Sequence, residues 1–396
     1  MISLVSYPLT LLACLIGVPV AVLFFEVVAA IVLPSQKYLQ WSAKGPRQRV
    51  AVIVPAHNES SGLVPTITDI RTQLRAGDRL LVVADNCIDD TASVAEAGGA
   101  EVIKRDDPTR LGKGYALDFA LKHVSQDPPA VVIIIDADCR ISEDAIDQLA
   151  LASATTQRPV QAIDIQKAQD DSPINFRVAE FAWRVKNWVR PLGLNVLNLP
   201  CQLMGTGMAF PWGIVRSAQL ANPSIVEDLK LGLDLARAGS PPLFCSVATV
   251  TSYFPTSAEG AKSQRERWER GHISMMTMVP RLIFDALARG DIKLLALALD
   301  LAVPPLSLLV ILLAAMLCIS GLAMLLGTSS TALIITATCV LAVALAIFLA
   351  WLRYGRDLLP STEMYLVVSY ILGKFPIYRR FFGGAAMQWT RTDRHK

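Results

Sequence analysis

The stretch VVIIIDADCR, residues 131–140, decides the fold class because it joins an unbroken apolar run to two aspartates. A continuous Val/Ile run without alternation predicts a central parallel strand, since helices then cover both of its faces. Asp136 and Asp138 would follow at the carboxyl end of this strand. Because alternate residues of an extended backbone project to the same side, we expect the two carboxylates to lean together.

Two carboxylates held side by side repel each other unless a cation or several hydrogen-bond donors offset the charge. Mg²⁺ binds proteins through one or two carboxylates together with substrate phosphates, so Asp136 and Asp138 indicate a metal–phosphate site. An isolated Asp-x-Asp more often reflects a helix cap beside a solvated carboxylate. Other segments of the chain must therefore decide between the two interpretations.

Apolar and amphipathic segments alternate from Arg49 to about Gly239. This alternation predicts βαβ crossovers and a mostly parallel sheet, in which ligands bind at the carboxyl ends of the strands. No G-x-G-x-x-G or P-loop motif follows any predicted strand, which argues against a dinucleotide fold or a P-loop nucleotide hydrolase. The predicted strands cover residues 49–55, 79–85, 99–104 and 130–136, and the predicted helices cover residues 63–74, a segment from Thr91, and residues 113–124.

The composition predicts a membrane protein, because 53% of the 396 residues are hydrophobic. An apolar run at 2–33 predicts an uncleaved anchor, and the basic residues behind it, from Lys37 to Arg49, favour a cytoplasmic segment after it. Glu26, near the cytoplasmic end of this run, is expected to snorkel to the interface. Two later runs, 302–326 and 332–352, predict a transmembrane hairpin.

Basic residues follow this hairpin, as the positive-inside rule requires of a cytoplasmic tail. We therefore expect a multi-pass protein of the inner (plasma) membrane, with its middle segment in the cytoplasm. The apolar piece at 364–373 is too short to span and is expected to lie at the interface or re-enter. The net charge is only +3, and the basic residues gather at membrane edges, so nothing indicates a nucleic-acid surface.

Three further segments carry unusual patterns. CQLMGTGMAFPW, residues 201–212, places Gly205 and Gly207 where another backbone or a ligand could approach closely, although an ordinary glycine turn would look the same. SIVEDLKLGLDLARAG, residues 224–239, predicts a helix with Glu227 and Asp228 in its first turn. Helix capping is the default explanation for these two acids, and a general base is the alternative.

The third segment, SQRERWERGH at 263–272, places Gln264, Arg267 and Trp268 on one face of a helix. A charged surface helix with one buried Trp would have a similar pattern. The next segment, ISMMTMVPRLIF, favours a position near the membrane, because it is typical of an amphipathic interfacial helix leading to the hairpin.

The motifs VIVPAHNE, VVADNCIDDTA, IDADC, GTGMAF, VEDLKLGLDL and QRERW, in this order, resemble the membrane-bound, processive-type family 2 glycosyltransferases. That group includes cellulose, chitin and hyaluronan synthases and ceramide glucosyltransferase. The resemblance covers residues 49–270 and the flanking spans. It implies a GT-A fold, a nucleotide-sugar donor that is usually a uridine diphosphate sugar, a divalent cation (Mg²⁺ or Mn²⁺) and inversion at the anomeric carbon.

The resemblance also assigns roles on the donor side of the site. Asp138, together with Asp136, would bind the metal, and Lys113 would contact a phosphate. The residues that would contact the nucleotide are Ala56, Asn58, Glu59, Asp85 and Asp136.

On the acceptor side, Asp228 matches the family's general base. Gln264 and Arg267 would face the diphosphate, and the Trp268 indole would form the floor of the acceptor site. The residues expected near the acceptor terminus are Gly205, Thr206, Gly207 and Glu227.

These observations predict an α/β, GT-A-type Rossmann-like mixed sheet with one N-terminal and two C-terminal transmembrane helices plus interfacial helices. The predicted organisation is an anchor at 1–35, a GT-A domain at 48–258, the QxxRW and interfacial helices at 259–291, a transmembrane hairpin at 292–352 and a basic interfacial tail at 353–396.

The expected activity is transfer of a hexose or N-acetylhexosamine to a glycan or lipid-linked acceptor, in exopolysaccharide or cell-surface glycan synthesis. Two alternatives stay open. One is a non-processive lipid glycosyltransferase similar to ceramide glucosyltransferase, and the other is a non-catalytic membrane scaffold that binds nucleotide. The sequence does not identify the sugar, the linkage or the oligomeric state.

Overall fold

The computed structural model describes residues 2–33, 47–169, 172–221, 226–255, 257–363, 366–374 and 378. The basic residues at 34–46 and at 379–396, which were predicted to be cytoplasmic, lie outside the described residues. The chain divides into two compact units. We call Ser35–Gln169 with Asn198–Phe254 the sheet unit, and Met1–Pro34 with Asp170–Leu197 and Pro255–Lys396 the helical unit.

The strands all belong to one sheet in the sheet unit. They are β1 Val50–Ala56, β2 Arg79–Asp85, β3 Glu101–Arg105, β4 Val131–Ile134, β5 Arg140–Ile141, β6 Val160–Lys167, β7 Met208–Pro211 and β8 Leu243–Tyr253. Their order is β3-β2-β1-β4-β7-β6-β8-β5. Strands β1 to β4 pair in parallel, whereas β7 runs antiparallel to both β4 and β6, so the sheet is mixed, as predicted.

The helices occur in both units. In chain order they are α1 Ile2–Val32, α2 Ser60–Arg71, α3 Thr91–Ala97, α4 Lys113–Val124, α5 Ala145–Thr156, α6 Ile174–Arg184, α7 Arg190–Val196, α8 Trp212–Val215, α9 Glu227–Arg237, α10 Ala258–Met276, α11 Val279–Arg289, α12 Ile292–Leu301, α13 Leu306–Leu325, α14 Thr331–Tyr354 and α15 Leu366–Gly373. A π-helical turn, Val185–Val189, joins α6 to α7.

The sheet is buried on both faces, which explains why its central strands are apolar without alternation. Val52 of β1 packs in one core cluster with residues of α2 and α5, and its neighbour Ile53 packs in the opposite cluster with residues of α4 and α9. Each buried aliphatic side chain of this kind contributes about 1.5–3 kcal/mol of hydrophobic stabilisation. The two clusters hold the carboxyl ends of β1, β2 and β4 at one edge of the sheet.

The predicted extended geometry of the two aspartates is wrong. Strand β4 ends at Ile134, and Asp136 and Asp138 lie in the turn that follows it. The turn is closed by a hydrogen bond from the Cys139 amide to the Asp136 carbonyl at 3.3 Å. Exposure still alternates along the turn, because Ala137 and Cys139 are buried between and beside the half-buried aspartates.

Among the described residues of the helical unit, three helices are long and apolar enough to cross a membrane, as predicted. They are Val5–Val32 within α1, Leu306–Leu325 and Thr331–Tyr354. Helix α1 packs along α14 and against α7. At the second contact a Cβ on Gly193 would lie 1.8 Å from the carbonyl oxygen of Glu26, so only glycine permits this approach.

The prediction that Glu26 snorkels to the interface is wrong. Its side chain is 3% exposed and accepts a hydrogen bond from Arg190 Nε at 2.6 Å. Arg190 also donates to the carboxylate of Asp300, so one buried guanidinium binds two acids from different helices. Burial of these polar groups is tolerated because the guanidinium donates hydrogen bonds to both acids inside the protein.

Helix α10, which carries the Gln-x-x-Arg-Trp motif, is tied to the C-terminal part of the chain. Glu269 accepts hydrogen bonds from Lys374 and, at 2.8 Å, from the Tyr378 hydroxyl. The same hydroxyl lies 2.7 Å from Ser307 Oγ at the start of α13. The predicted interfacial piece at 364–373 contains α15, and its first two residues lie outside the described residues.

Candidate functional site

The Asp136–Asp138 turn is hydrogen-bonded to a side chain of α2. The Thr66 hydroxyl lies 2.8 Å from the carbonyl oxygens of both Ala137 and Cys139, and it is 1% exposed. A buried hydroxyl shared between two carbonyls fixes the backbone of the turn, so the two aspartates extend from a rigid support.

Lys113 meets this turn from α4. Helix α4 begins at Lys113, and the residue before it, Gly112, has a φ of 128°, a conformation that favours glycine. The Lys113 ammonium donates to the carboxylate of Asp136 and, at 2.7 Å, to the carbonyl oxygen of Gly205. The predicted phosphate contact and the predicted metal ligand are therefore ion-paired.

The loop from Gly205 to Gly207 lies beside the same ion pair. Both glycines have positive φ, 94° and 66°. A Cβ on Gly207 would lie 2.7 Å from Val250 Cγ2 and 2.8 Å from Ala162 Cβ, so the backbone here is pressed against β6 and β8. Between them, the Thr206 hydroxyl accepts a hydrogen bond from the Asp136 amide at 3.0 Å. The predicted close approach is thus present, and it is made to the protein's own strands.

Asp228 lies beside the first of these glycines. A Cβ on Gly205 would be 3.3 Å from Asp228 Oδ2 and 3.9 Å from Lys113 Nζ, so this carboxylate and this ammonium flank the same backbone position. Asp228 is in the first turn of α9, where the helix macrodipole favours negative charge. The absence of a side chain on Gly205 keeps both groups close to the loop.

The charges of this cluster influence one another. Burial lowers the pKa of Lys113, but the attraction of Asp136, Glu227 and Asp228 outweighs it, so the pKa is raised overall. Burial and the neighbouring Asp228 raise the pKa of Glu227 to about 7. Near neutral pH the Glu227–Asp228 pair is therefore expected to carry less than two full negative charges.

The predicted nucleoside residues lie in the loops after β1 and β2. Asn58 has a φ of 54°, and its Oδ1 accepts a hydrogen bond from the Ile88 amide at 2.8 Å. The Glu59 amide donates a hydrogen bond to Thr91 Oγ1 at 2.9 Å. These bonds tie the loop that follows Ala56, the last residue of β1, to the loop after β2 and to the first residue of α3.

Asp85, at the end of β2, is paired with a residue that the sequence analysis did not single out. Arg105, the last residue of β3, donates to Asp85 Oδ1 at 2.5 Å, and the two side chains are 8% and 10% exposed. Burial raises the pKa of Asp85 although Arg105 opposes the shift. The signal for Arg105 was its place directly after the predicted strand 99–104, at the end of the sheet where ligands are expected.

Glu59 and Asp138 both lie next to Gly62 in the first turn of α2. A Cβ on Gly62 would lie 3.4 Å from Glu59 Oε2 and 3.6 Å from Asp138 Cβ. The loop after β1 and the Asp-x-Asp turn therefore border one region of the sheet edge.

Gln264, Arg267 and Trp268 lie on α10 and belong to the helical unit. Gln264 is 1% exposed, and the Trp268 ring packs on that of Trp183 with centroids 4.7 Å apart and planes tilted by 44°. Lys186 Nζ lies 5.2 Å from the Trp183 ring centroid. Trp183 was not predicted, because no motif marks it.

The sheet unit therefore brings together Lys113, Asp136, the Gly205–Gly207 loop and Asp228. Among the described residues, no group of three or more His, Cys, Asp or Glu is arranged to hold a metal. Asp136 and Asp138 nevertheless fit a hard cation, because Mg²⁺ typically takes one or two carboxylates and completes its shell with phosphate oxygens and water.

Comparison with known families gives one match that covers most of the sheet unit. A family model described as "Glycosyltransferase like family 2" matches residues 46–271. A search of curated protein sequences finds no significant match.

Comparison with solved structures also finds matches. A mannosyltransferase from Pyrobaculum calidifontis, solved in complex with GDP-Man and Mn²⁺, is 18% identical with a TM-score of 0.51, over 86% of this chain and 98% of that chain. A glucosyl-3-phosphoglycerate synthase from Mycobacterium tuberculosis, solved with Mn²⁺, UDP and phosphoglyceric acid, is 24% identical with a TM-score of 0.36, over 51% of this chain and 70% of that chain.

Proposed function

The chain belongs to the glycosyltransferase like family 2, and on that premise we propose that it is a membrane-bound inverting hexosyltransferase. Its donor is a nucleotide sugar, UDP-hexose or UDP-N-acetylhexosamine. Its acceptor is a glycan or lipid-linked hydroxyl at the cytoplasmic face of the membrane, in exopolysaccharide or cell-surface glycan synthesis. The three helices that are apolar enough to span a membrane support the membrane assignment.

One observation carries the catalytic part of the proposal. The carboxylate of Asp228 and the ammonium of Lys113 flank Gly205, and Lys113 is bonded to Asp136 of the Asp-x-Asp turn. A carboxylate that could accept a proton and an ammonium that could bind a diphosphate thus lie on either side of one glycine, which supports the proposal. A module that only binds nucleotide needs no such base.

In the proposed reaction, Asp228 accepts the proton of the acceptor hydroxyl as that oxygen attacks the anomeric carbon. A positioned base of this kind contributes about 10²–10⁴-fold to the rate. Lys113 donates to an oxygen of the leaving diphosphate, whose negative charge increases as the glycosidic bond breaks. The diphosphate leaves without needing a proton.

A divalent cation held by Asp138 and Asp136 would supply further charge stabilisation at the diphosphate. The family resemblance adds Gln264 and Arg267 as diphosphate contacts and Trp268 as the surface on which the acceptor sugar stacks. Held in this way, the acceptor hydroxyl would be oriented toward the donor before reaction, which lowers the entropic part of the barrier.

A second function, single transfer to a membrane lipid, is favoured by the small number of spans. In the part of the chain that the structure describes, three helices meet the length and apolarity needed to cross a membrane. A polymer-secreting enzyme needs a channel, which one such chain would have difficulty forming alone.

The test is transfer from a panel of labelled donors, UDP-glucose, UDP-N-acetylglucosamine and GDP-mannose, by purified full-length protein with Mg²⁺ or Mn²⁺ and membrane lipid extract. We expect transfer from a uridine donor. A single glycolipid product would select the second function, and a product of increasing length would select polymer synthesis. Transfer from none of these donors would overturn the proposal.

A further inference from the structure

The most informative contact in the sheet unit is the one between Lys113 and Asp136. The ammonium lies on one of the two carboxylates that suit a cation, and it is also held by the Gly205 carbonyl at 2.7 Å. Its side chain is 22% exposed and that of Asp136 is 37% exposed. The pair is therefore accessible from the sheet edge.

This position is set by three separate pieces of the fold. Lys113 starts α4, Asp136 lies in the turn after β4, and Gly205 opens the glycine loop before β7. Asp228 adjoins the same glycine from α9. Because the backbone of each piece is anchored in the sheet unit, the ammonium is held among the carboxylates by the fold.

The ammonium offsets a concentration of negative charge. Asp136, Glu227 and Asp228 all attract it electrostatically. Without a positive charge at this place, the three acids would repel one another, and a free divalent cation would find an anionic pocket ready to bind it. With the ammonium in place, an incoming cation meets repulsion and competes for the Asp136 carboxylate.

A diphosphate changes this balance. It offers the ammonium another anionic partner and supplies oxygen ligands that complete the cation's shell. The free-energy cost of breaking the Lys113–Asp136 pair is then lower, because the ammonium exchanges one anionic partner for another.

We propose that Lys113 is a built-in counter-ion, which stays paired with the Asp136 carboxylate until a nucleotide diphosphate binds. The pairing makes the binding of a divalent cation depend on the nucleotide. This inference rests on the proposed function, since it assumes a diphosphate donor. It goes beyond that function in giving an order to the binding steps: cation alone binds weakly, and cation with nucleotide binds well.

The test measures Mn²⁺ binding to the purified full-length protein by electron paramagnetic resonance, with and without UDP. For the wild type we expect weak binding of Mn²⁺ alone and at least about tenfold tighter binding with UDP, a factor that corresponds to about 1.4 kcal/mol. For Lys113→Gln we expect Mn²⁺ alone to bind at least about tenfold tighter than it does to the wild type. Lys113→Arg keeps the charge and should keep the weak binding.

The matched control is Lys122→Gln on the same helix. Lys122 pairs with Asp118 one turn earlier and is 75% exposed, so its loss should leave Mn²⁺ binding unchanged. Equal affinity of the wild type for Mn²⁺ with and without UDP would overturn the proposal, whatever the variants do. So would Lys113→Gln binding Mn²⁺ no better than the wild type while its thermal unfolding is unchanged.

This experiment reads cation binding and does not involve sugar transfer. The enzyme could therefore transfer sugar and still fail the Mn²⁺ test, which would reject the counter-ion alone. A protein without transfer activity that bound Mn²⁺ in the expected order would instead reject the transferase.

Discussion

The ammonium of Lys113, the first residue of α4, donates a hydrogen bond to the carboxylate of Asp136 in the turn after β4. The two residues are 23 positions apart in the chain. Their contact joins the helix that follows the third strand to the turn that follows the fourth. It gives the candidate site an internal positive charge next to its acidic residues.

Asp138 should be essential for transfer and dispensable for folding. We expect Asp138→Asn to lower sugar transfer by about 10²-fold or more, since loss of one group that stabilises transition-state charge has effects of this size. The melting temperature should stay within a few degrees of the wild type. Asp118→Asn, a substitution at the half-buried partner of Lys122 on α4, is the control and should retain activity.

Gly207 should be the structurally critical glycine of the loop. Alanine there would combine a φ of 66° with a Cβ 2.7 Å from Val250 and 2.8 Å from Ala162. We expect Gly207→Ala to destabilise the protein by about 1–3 kcal/mol, as overpacking of a tight site does. Thermal unfolding measures the loss, and Gly213→Ala is the control because nothing lies within 4 Å of its Cβ position. Equal melting temperatures for the two variants would contradict the packing described for this loop.

His272 should make stability depend on pH. Its side chain is 9% exposed, and burial, with help from Lys186 and Arg190, lowers its pKa from 6.5 to about 3. Because the unfolded state then binds more protons than the folded state between these values, stability should fall as the pH falls from 6.5 toward 3. At pH 5 the loss from this residue is about 2 kcal/mol.

Thermal unfolding of the wild type and of His272→Gln at pH 7.5 and pH 5 checks this prediction. The melting temperature of the wild type should fall more on acidification than that of the variant. Identical decreases would show that His272 does not titrate in this way.

The bond between Glu269 and Lys374 should stabilise α10. Their side chains are 15% and 11% exposed, so removing one partner leaves a largely buried charge on the other. We expect Lys374→Met to destabilise the protein by about 3 kcal/mol. Exposed Lys293, at the start of α12, provides the control Lys293→Met. The exchange Glu269→Lys with Lys374→Glu should recover part of the loss, and no recovery would argue against an ion pair at this place.

Local patterns predicted the elements whose residues interact with near neighbours. Helix α4 begins and ends where the pattern placed it, at Lys113 and Val124, and β2 covers the predicted residues 79–85. Both depend on the pattern of apolar residues within one segment, which the sequence displays directly.

Features that depend on distant partners could not be predicted in this way. Glu26 looked like an interfacial charge because its partner, Arg190, is 164 residues away. Arg105 carried no motif, and only the side-by-side arrangement of β2 and β3 brings it to Asp85. The Asp-x-Asp turn was predicted as strand, because the sequence does not show that pairing ends at Ile134.

The central claim is that Asp228 is the base of a sugar-transfer reaction, and the most direct measurement compares the wild type with Asp228→Asn. Both proteins would be supplied with the same labelled nucleotide sugar and membrane extract, and binding of UDP would be measured in parallel. We predict that the variant binds UDP as the wild type does but transfers sugar at least about a hundredfold more slowly. Transfer by Asp228→Asn at a rate close to that of the wild type would contradict the account.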